Sequence, residues 1–184
     1  MDKSQAKQKF NCNDSQPVLA ILGGSQGSVP LNRHFQKECK KYIQSGIQIL
    51  WQCGKNDYER LQHSVDKTDV HLIPFSDDMG ALYSAADLIV SRAGALALSE
   101  MALMGKAMVL VPFPHSAGDH QFKNAQAFSN SGAAIVFPQS KLPTGDLEAT
   151  VLELFKQPGK IQEMEEQSIQ MAAPDATENI ISTI

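Results

Sequence analysis

Cysteine is scarce in this chain of 184 residues: Cys12, Cys39 and Cys53 are the only three, and no two form a CxxC pair. So few thiols exclude a disulfide scaffold and a cysteine zinc site, and they suit a reducing compartment. Long hydrophobic runs are missing too. The longest, Ala107 to Phe113, falls far short of the roughly 20 apolar residues that a membrane-spanning helix needs. The start, Met1 to Lys9, is too polar for a signal peptide, so a soluble, cytoplasmic domain is expected. No stretch gathers charge of one sign: 16 basic and 20 acidic residues are interspersed, for a net charge of −4, and nucleic acid is not an expected partner. His115 and His120, beside Asp119, lack the i, i+4 spacing of a helical zinc pair, so no metal is expected there. Internal repeats and low-complexity tracts are absent.

What is present fits one domain with a sizeable core, since 42% of the residues are hydrophobic. Apolar runs bounded by turn residues predict strands at Val18 to Leu22, Ile47 to Trp51, Val70 to Ile73, Asp87 to Ser91, Met108 to Val111 and Ala134 to Phe137. Helix-length segments separate them. In Leu31 to Ile43, Leu31, Phe35, Cys39 and Tyr42 share one face and the cationic residues another. Two more helices are expected between Thr144 and Ile184, split at Gln157-Pro158-Gly159, with a break at Ala173-Pro174-Asp175. Strand and helix alternate, and the strands are nearly continuous apolar runs. That combination predicts an α/β fold, a doubly wound, mostly parallel, Rossmann-like sheet of about six strands with helices on both faces. Such sheets bind ligands beyond the carboxyl ends of their strands.

The loops leaving those ends carry the candidate chemistry. After the first strand comes Gly23-Gly24-Ser25-Gln26-Gly27-Ser28, with Pro30 in the first turn of the next helix. Glycines let backbone approach a phosphate, and the free N–H groups of a helix start point at it; a tight turn with no ligand is the alternative. Neither a dinucleotide fingerprint nor a Walker A motif is present. After the fourth strand, Ser91-Arg92-Ala93-Gly94 opens an apolar helix whose one charge before Gly105 is Glu100. Such a helix is expected to be largely buried, where a lone carboxylate needs a partner: a vicinal diol such as a ribose, or a salt bridge to Arg92 or a lysine. After the fifth strand, His120, Gln121 and Asn124 are suited to sugar hydroxyls, while Asp119 reads as a helix N-cap. After the third, Phe75 either joins the core or covers a nucleobase, and Asp77 or Asp78 caps the following helix.

Taken together, Leu22-Gly23-Gly24-Ser25-Gln26-Gly27, Gly54-Lys55-Asn56-Asp57-Tyr58, Pro74-Phe75-Ser76-Asp77-Asp78-Met79, Ser91-Arg92-Ala93-Gly94-Ala95-Leu96 with Ser99-Glu100, and Asp119-His120-Gln121 with Asn124-Ala125 resemble the MurG family of glycosyltransferases. Each block alone is weak; five in order are specific, and the likeness runs from about Val18 to Ile181, including Ala173-Pro174-Asp175-Ala176-Thr177. The resemblance implies a GT-B enzyme of peptidoglycan synthesis that uses UDP-N-acetylglucosamine and a lipid-linked muramoyl-pentapeptide acceptor. It implies that residues 17–184 are the C-terminal, donor-binding domain and residues 1–16 a linker-like segment. The catalytic base, acceptor loop and membrane-facing surface of the family belong to an N-terminal domain, so the chain alone is expected to be inactive. Family members sit on the cytoplasmic face of the inner membrane. By resemblance, Ala95 and Leu96 would offer amides to the diphosphate, Phe75 and the backbone of Ser76 would meet the uracil, Glu100 the ribose, and Gln121, with His120 and Asn124 near it, the donor sugar; Gly24, Ser25 and Gln26, in the glycine turn, are the further candidates for the anion. No cofactor is implied. Ala97 stands where the family often has threonine, and His120 where some members have a second glutamine. Two other readings stay open: the donor subunit of a two-chain UDP-N-acetylglucosamine transferase, and a non-catalytic nucleotide-binding module.

Overall fold

The computed structural model describes residues 1–144 and 146–172. Six strands form, β1 (Val18–Leu22), β2 (Gln48–Gln52), β3 (Val70–Ile73), β4 (Leu88–Ser91), β5 (Met108–Leu110) and β6 (Ala134–Val136), each within one residue of its expected bounds. They pair in parallel in the order β3-β2-β1-β4-β5-β6, which is the doubly wound order. Among the described residues eight α-helices connect or flank them: α1 (Lys3–Lys9), α2 (Val29–Gln44), α3 (Lys55–Gln62), α4 (Met79–Ala85), α5 (Ala95–Leu103), α6 (His120–Asn130), α7 (Asp146–Phe155) and α8 (Pro158–Met171). The split between α7 and α8 is where the Gln157-Pro158-Gly159 signal puts it. The break expected at Ala173-Pro174-Asp175 lies outside the described residues. The N-terminal segment holds α1, whose Ala6 is buried and whose Lys3 and Lys9 pair with Asp87 and Asp78.

Side chains of a strand alternate between faces, and β1 divides its residues accordingly. Leu19 and Ile21 join Trp51, Phe35 and Tyr42 under α2 and α7, whereas Val18, Ala20 and Leu22 join Ile89, Met108 and Leu110 under α4, α5 and α6. Complete burial of side chains such as Trp51, Phe35 and Leu19 stabilises the fold by roughly 1.5–3 kcal/mol each before the entropy cost. The chain therefore leaves β1 toward one face and β4 toward the other, although the two strands are neighbours. Their departing loops diverge and open a crevice above the sheet.

Two features differ from the sequence reading. The helix after β4 is not largely buried: Leu98, Met101 and Ala102 face the sheet, but Leu96 is 74% and Leu103 55% exposed. Its N-terminal end overhangs the crevice, so only one stripe of α5 meets the core. Asp119 does not cap α6 through its side chain. It adopts a left-handed conformation (φ 55°) at the end of a short 3-10 turn, and the Ser116 hydroxyl instead accepts from the Gln121 N–H at 3.2 Å.

Candidate functional site

At the carboxyl ends of β1 and β4 the crevice forms a cavity of about 480 Å³. Its walls are the turn at Gly23, Gly24 and Ser25, the N-terminus of α5 at Gly94 to Ala97, and Phe75, Glu100 and Gln121 from neighbouring elements.

The first wall is shaped by close packing of two loops. Gly27 and Gly54 both have positive φ, 78° and 85°, and each lies against the other's loop. A Cβ on Gly27 would overlap the Cys53 carbonyl, and one on Gly54 would sit 2.5 Å from the Gln26 oxygen, so only glycine fits at either place. Buried Asn32 fixes the same junction. Its amide donates to the Cys53 carbonyl at 2.8 Å and to Asp57 at 2.7 Å, while its oxygen accepts from the Trp51 indole at 3.1 Å. The Gly54-Lys55-Asn56-Asp57 block thus buttresses the glycine turn. Pro30 occupies the first turn of α2, as the sequence predicted, and Ser28 caps that helix.

The second wall is electropositive without any side chain. Gly94, the N-cap of α5, has no side chain to satisfy the first amides of the helix, so Ala95 and Leu96 line the cavity at the uncapped, positive end of the helix dipole. Gln121 is held from behind. Its oxygen accepts from the Ala93 and Phe113 amides at 3.3 and 3.0 Å, which turns its NH2 into a donor for the cavity. Asn124 donates to the Ala93 carbonyl at 3.2 Å and supports this loop from outside the lining.

Glu100 is half-buried on the cavity wall. Its partner is neither Arg92 nor a lysine: the Tyr83 hydroxyl donates to one carboxylate oxygen at 2.8 Å. Burial, and then this bond to Glu100, raise the Tyr83 phenol well above its ordinary value, so Tyr83 stays a neutral donor. Phe75 is 41% exposed at the cavity edge and so does not join the core.

Seven of the expected residues thus share one cavity: Gly24, Ser25, Phe75, Ala95, Leu96, Glu100 and Gln121. Four do not line it. Gln26 packs its backbone on Gly54; Ser76 is buried, its N–H donating to the Gln52 side chain at 3.0 Å; Asn124 braces Ala93; and His120 is exposed, bonded through Nδ1 to the Ala117 carbonyl at 2.7 Å. The lining also includes residues not singled out from the sequence as ligand contacts, among them Gln52, Tyr83 and Arg92. Gln52 had a readable signal, a polar side chain closing an apolar strand at its functional end. Tyr83 had none, because its meeting with Glu100 depends on how α4 and α5 pack. Asp78 accepts from the Ala81 N–H at 2.9 Å and so caps α4 as expected. Among the described residues no group of three or more histidine, cysteine or acidic side chains could hold a metal ion, and no helix is long and apolar enough to cross a membrane.

Comparison with known proteins fits this geometry. Residues 18–180 match the glycosyltransferase family 28 C-terminal domain. The chain is 34% identical over 182 residues to a Flavobacterium psychrophilum protein named UDP-N-acetylglucosamine--N-acetylmuramyl-(pentapeptide) pyrophosphoryl-undecaprenol N-acetylglucosamine transferase, covering 99% of this chain and 49% of that protein. A Cytophaga hutchinsonii protein of the same name is 38% identical over 175 residues, 95% of this chain and 47% of its own. The crystal structure of Acinetobacter baumannii MurG superposes with a TM-score of 0.83 at 31% identity, covering 97% of this chain and 52% of that one. The chain spans about half the length of the curated relatives it matches. It has the fold of a GT-B C-terminal domain, and it belongs to glycosyltransferase family 28.

Proposed function

We propose that this chain is the donor-binding half of an inverting N-acetylglucosamine transferase of peptidoglycan synthesis, holding UDP-N-acetylglucosamine in the cavity between β1 and β4. The observation that carries the reading is the convergence, in one crevice, of a glycine turn, the uncapped start of α5 and the half-buried Glu100. The diphosphate fits the first two, as donors aimed at an anion, and the ribose diol fits the carboxylate. Uracil lies against Phe75, and the sugar reaches Gln121. In the reaction the acceptor hydroxyl oxygen bonds to the anomeric carbon, the bond from that carbon to the diphosphate breaks, and its electron pair leaves with UDP. Preorganised amides at Ala95 and Leu96 offset the charge that develops. The hydroxyl proton passes to a base that we assign to a separate acceptor-binding half, which also meets the lipid-linked muramoyl-pentapeptide at the cytoplasmic membrane face. Calorimetric titration tests the reading. UDP and UDP-N-acetylglucosamine should bind and adenosine diphosphate should not, with affinities unchanged by EDTA, and the chain alone should transfer no sugar. Absence of UDP binding, or efficient glycosylation of the lipid acceptor by this chain alone, would refute it.

A further inference from the structure

Arg92 directly follows β4 and borders the cavity, yet it is almost wholly buried. Its guanidinium donates to the Val111 carbonyl at 2.9 Å, the Pro112 carbonyl at 3.3 Å, the Ser28 hydroxyl at 2.7 Å and the Gln139 side-chain oxygen at 2.6 Å. The Phe113 ring lies 5.7 Å away. Every one of these partners is neutral. Among the described residues no carboxylate is within ion-pair distance of Arg92, and the acid on the cavity wall, Glu100, is bonded to Tyr83.

A buried charge is normally paired, because water no longer solvates it. Burial lowers the Arg92 pKa to about 10, which still leaves the group fully charged near neutrality. Neutral donors would suffice if the task were only to tie four acceptors together. The uncompensated cation instead stands behind the cavity into which the Gly23–Ser25 turn and the α5 amides also point, three sources of positive potential around one space.

We propose that Arg92 is a positioning residue for the donor: it clamps the loops after β1, β5 and β6 to the end of β4 and supplies the fixed charge that the diphosphate compensates. This rests on reading the cavity as the nucleotide-sugar site. The same charge gains value as the sugar–phosphate bond breaks and the electron pair leaves with UDP, since the leaving group is more anionic than the bound donor.

Uridine and UDP separate this role from a structural one, because both carry the base and ribose and only UDP carries the anion. In Arg92→Gln, UDP affinity should fall at least tenfold, about 1.4 kcal/mol, while uridine affinity stays within about twofold. In Arg92→Lys, which keeps the charge but not the fork, the UDP-to-uridine ratio should stay within roughly threefold of the original even where both affinities drop. Folding is followed by melting temperature for each variant. An unchanged ratio in folded Arg92→Gln overturns the role, as does a ratio that collapses about tenfold in folded Arg92→Lys. Should Arg92→Gln not fold, the lysine variant decides alone. If the unmodified chain binds uridine but the ratio ignores Arg92, only this inference fails; if it binds neither ligand, the assignment of the cavity fails and Arg92's role with it.

Discussion

Replacing Glu100 by glutamine probes the cavity most directly, because the side chain keeps its shape and loses only its charge. One carboxylate oxygen is engaged by the Tyr83 hydroxyl at 2.8 Å, and the group sits on the cavity wall. In Glu100→Gln the amide oxygen can still accept from Tyr83, which leaves the NH2 facing the ribose, so the hydroxyls lose their charged acceptor. Hydrogen bonds to charged groups contribute about 1.5–3 kcal/mol against about 0.5–1.5 for neutral ones, so the expected loss is roughly 1.5–3 kcal/mol of UDP affinity for a diol bonded through both hydroxyls. That is about tenfold to a hundredfold in Kd. Stability should move by less than about 1 kcal/mol, since the group is only half-buried and Tyr83 keeps an acceptor. The assay is calorimetric titration with UDP and 2′-deoxy-UDP, with thermal melts in parallel. Wild type should discriminate against the deoxy compound, and the variant should discriminate less, because the missing hydroxyl and the missing charge report one interaction. Equal discrimination by both proteins, accompanied by a lowered melting temperature, would sink the ribose assignment and leave Glu100 as a structural partner of Tyr83.

Gly27→Ala combines a positive φ with overlap of the Cys53 carbonyl and should destabilise by more than about 2 kcal/mol, whereas Gly24→Ala, at φ 84° with open space around it, should cost only about 1 kcal/mol. Equal losses in urea denaturation would show that the two loops do not interlock. Asn32→Leu strands the buried Trp51 indole N–H and the Cys53 carbonyl, and should lower stability by roughly 2–4 kcal/mol; a loss under about 0.5 kcal/mol would contradict that pairing. His34 donates from Nδ1 to the Leu142 carbonyl at 2.9 Å and is buried with Nε2 unpartnered, and this burial holds its pKa below the ordinary 6.5. Because the folded value lies below the unfolded one, its contribution is complete above about pH 6.5 and is lost as pH falls through the unfolded value toward the folded one. His71 shifts in the same direction, also by burial. Urea midpoints should therefore fall on acidification below about pH 6.5, less steeply in His34→Gln; identical slopes would refute the assignment to His34.

The sheet was legible because parallel strands covered on both faces are written as apolar runs, and those runs have little freedom to mean anything else. Pro30 and Asp78 were legible for a similar reason: helix-start signals are local, and each lies within three residues of its effect. Where meaning depended on tertiary approach, the sequence was silent or misleading. An apolar helix reads as buried, yet α5 overhangs a crevice that pattern alone does not reveal. Asp119 has the chemistry of a cap, but a preceding turn sets its backbone left-handed and gives the position to Ser116. Arg92 read as a salt-bridge candidate, because nothing local shows that its four acceptors are neutral and come from three distant loops. In the polar helix α1, one buried alanine makes no visible period.

The seam between β1 and β4 also bears on the order of assembly. Leu19 pairs with Leu88 there, across an intervening stretch that contains three helices and two strands, whereas β1 and β2 are joined by one crossover. Closing so long a loop is entropically costly, so this pairing should come late in folding. The cavity takes walls from both sides of that seam, and a chain that has made only β1 to β3 presents half of it. On the proposed reading, a nucleotide that needs both walls would recognise the finished sheet and not its precursors. It should therefore leave the refolding rate almost untouched and act on the reverse step, slowing unfolding in proportion to its occupancy.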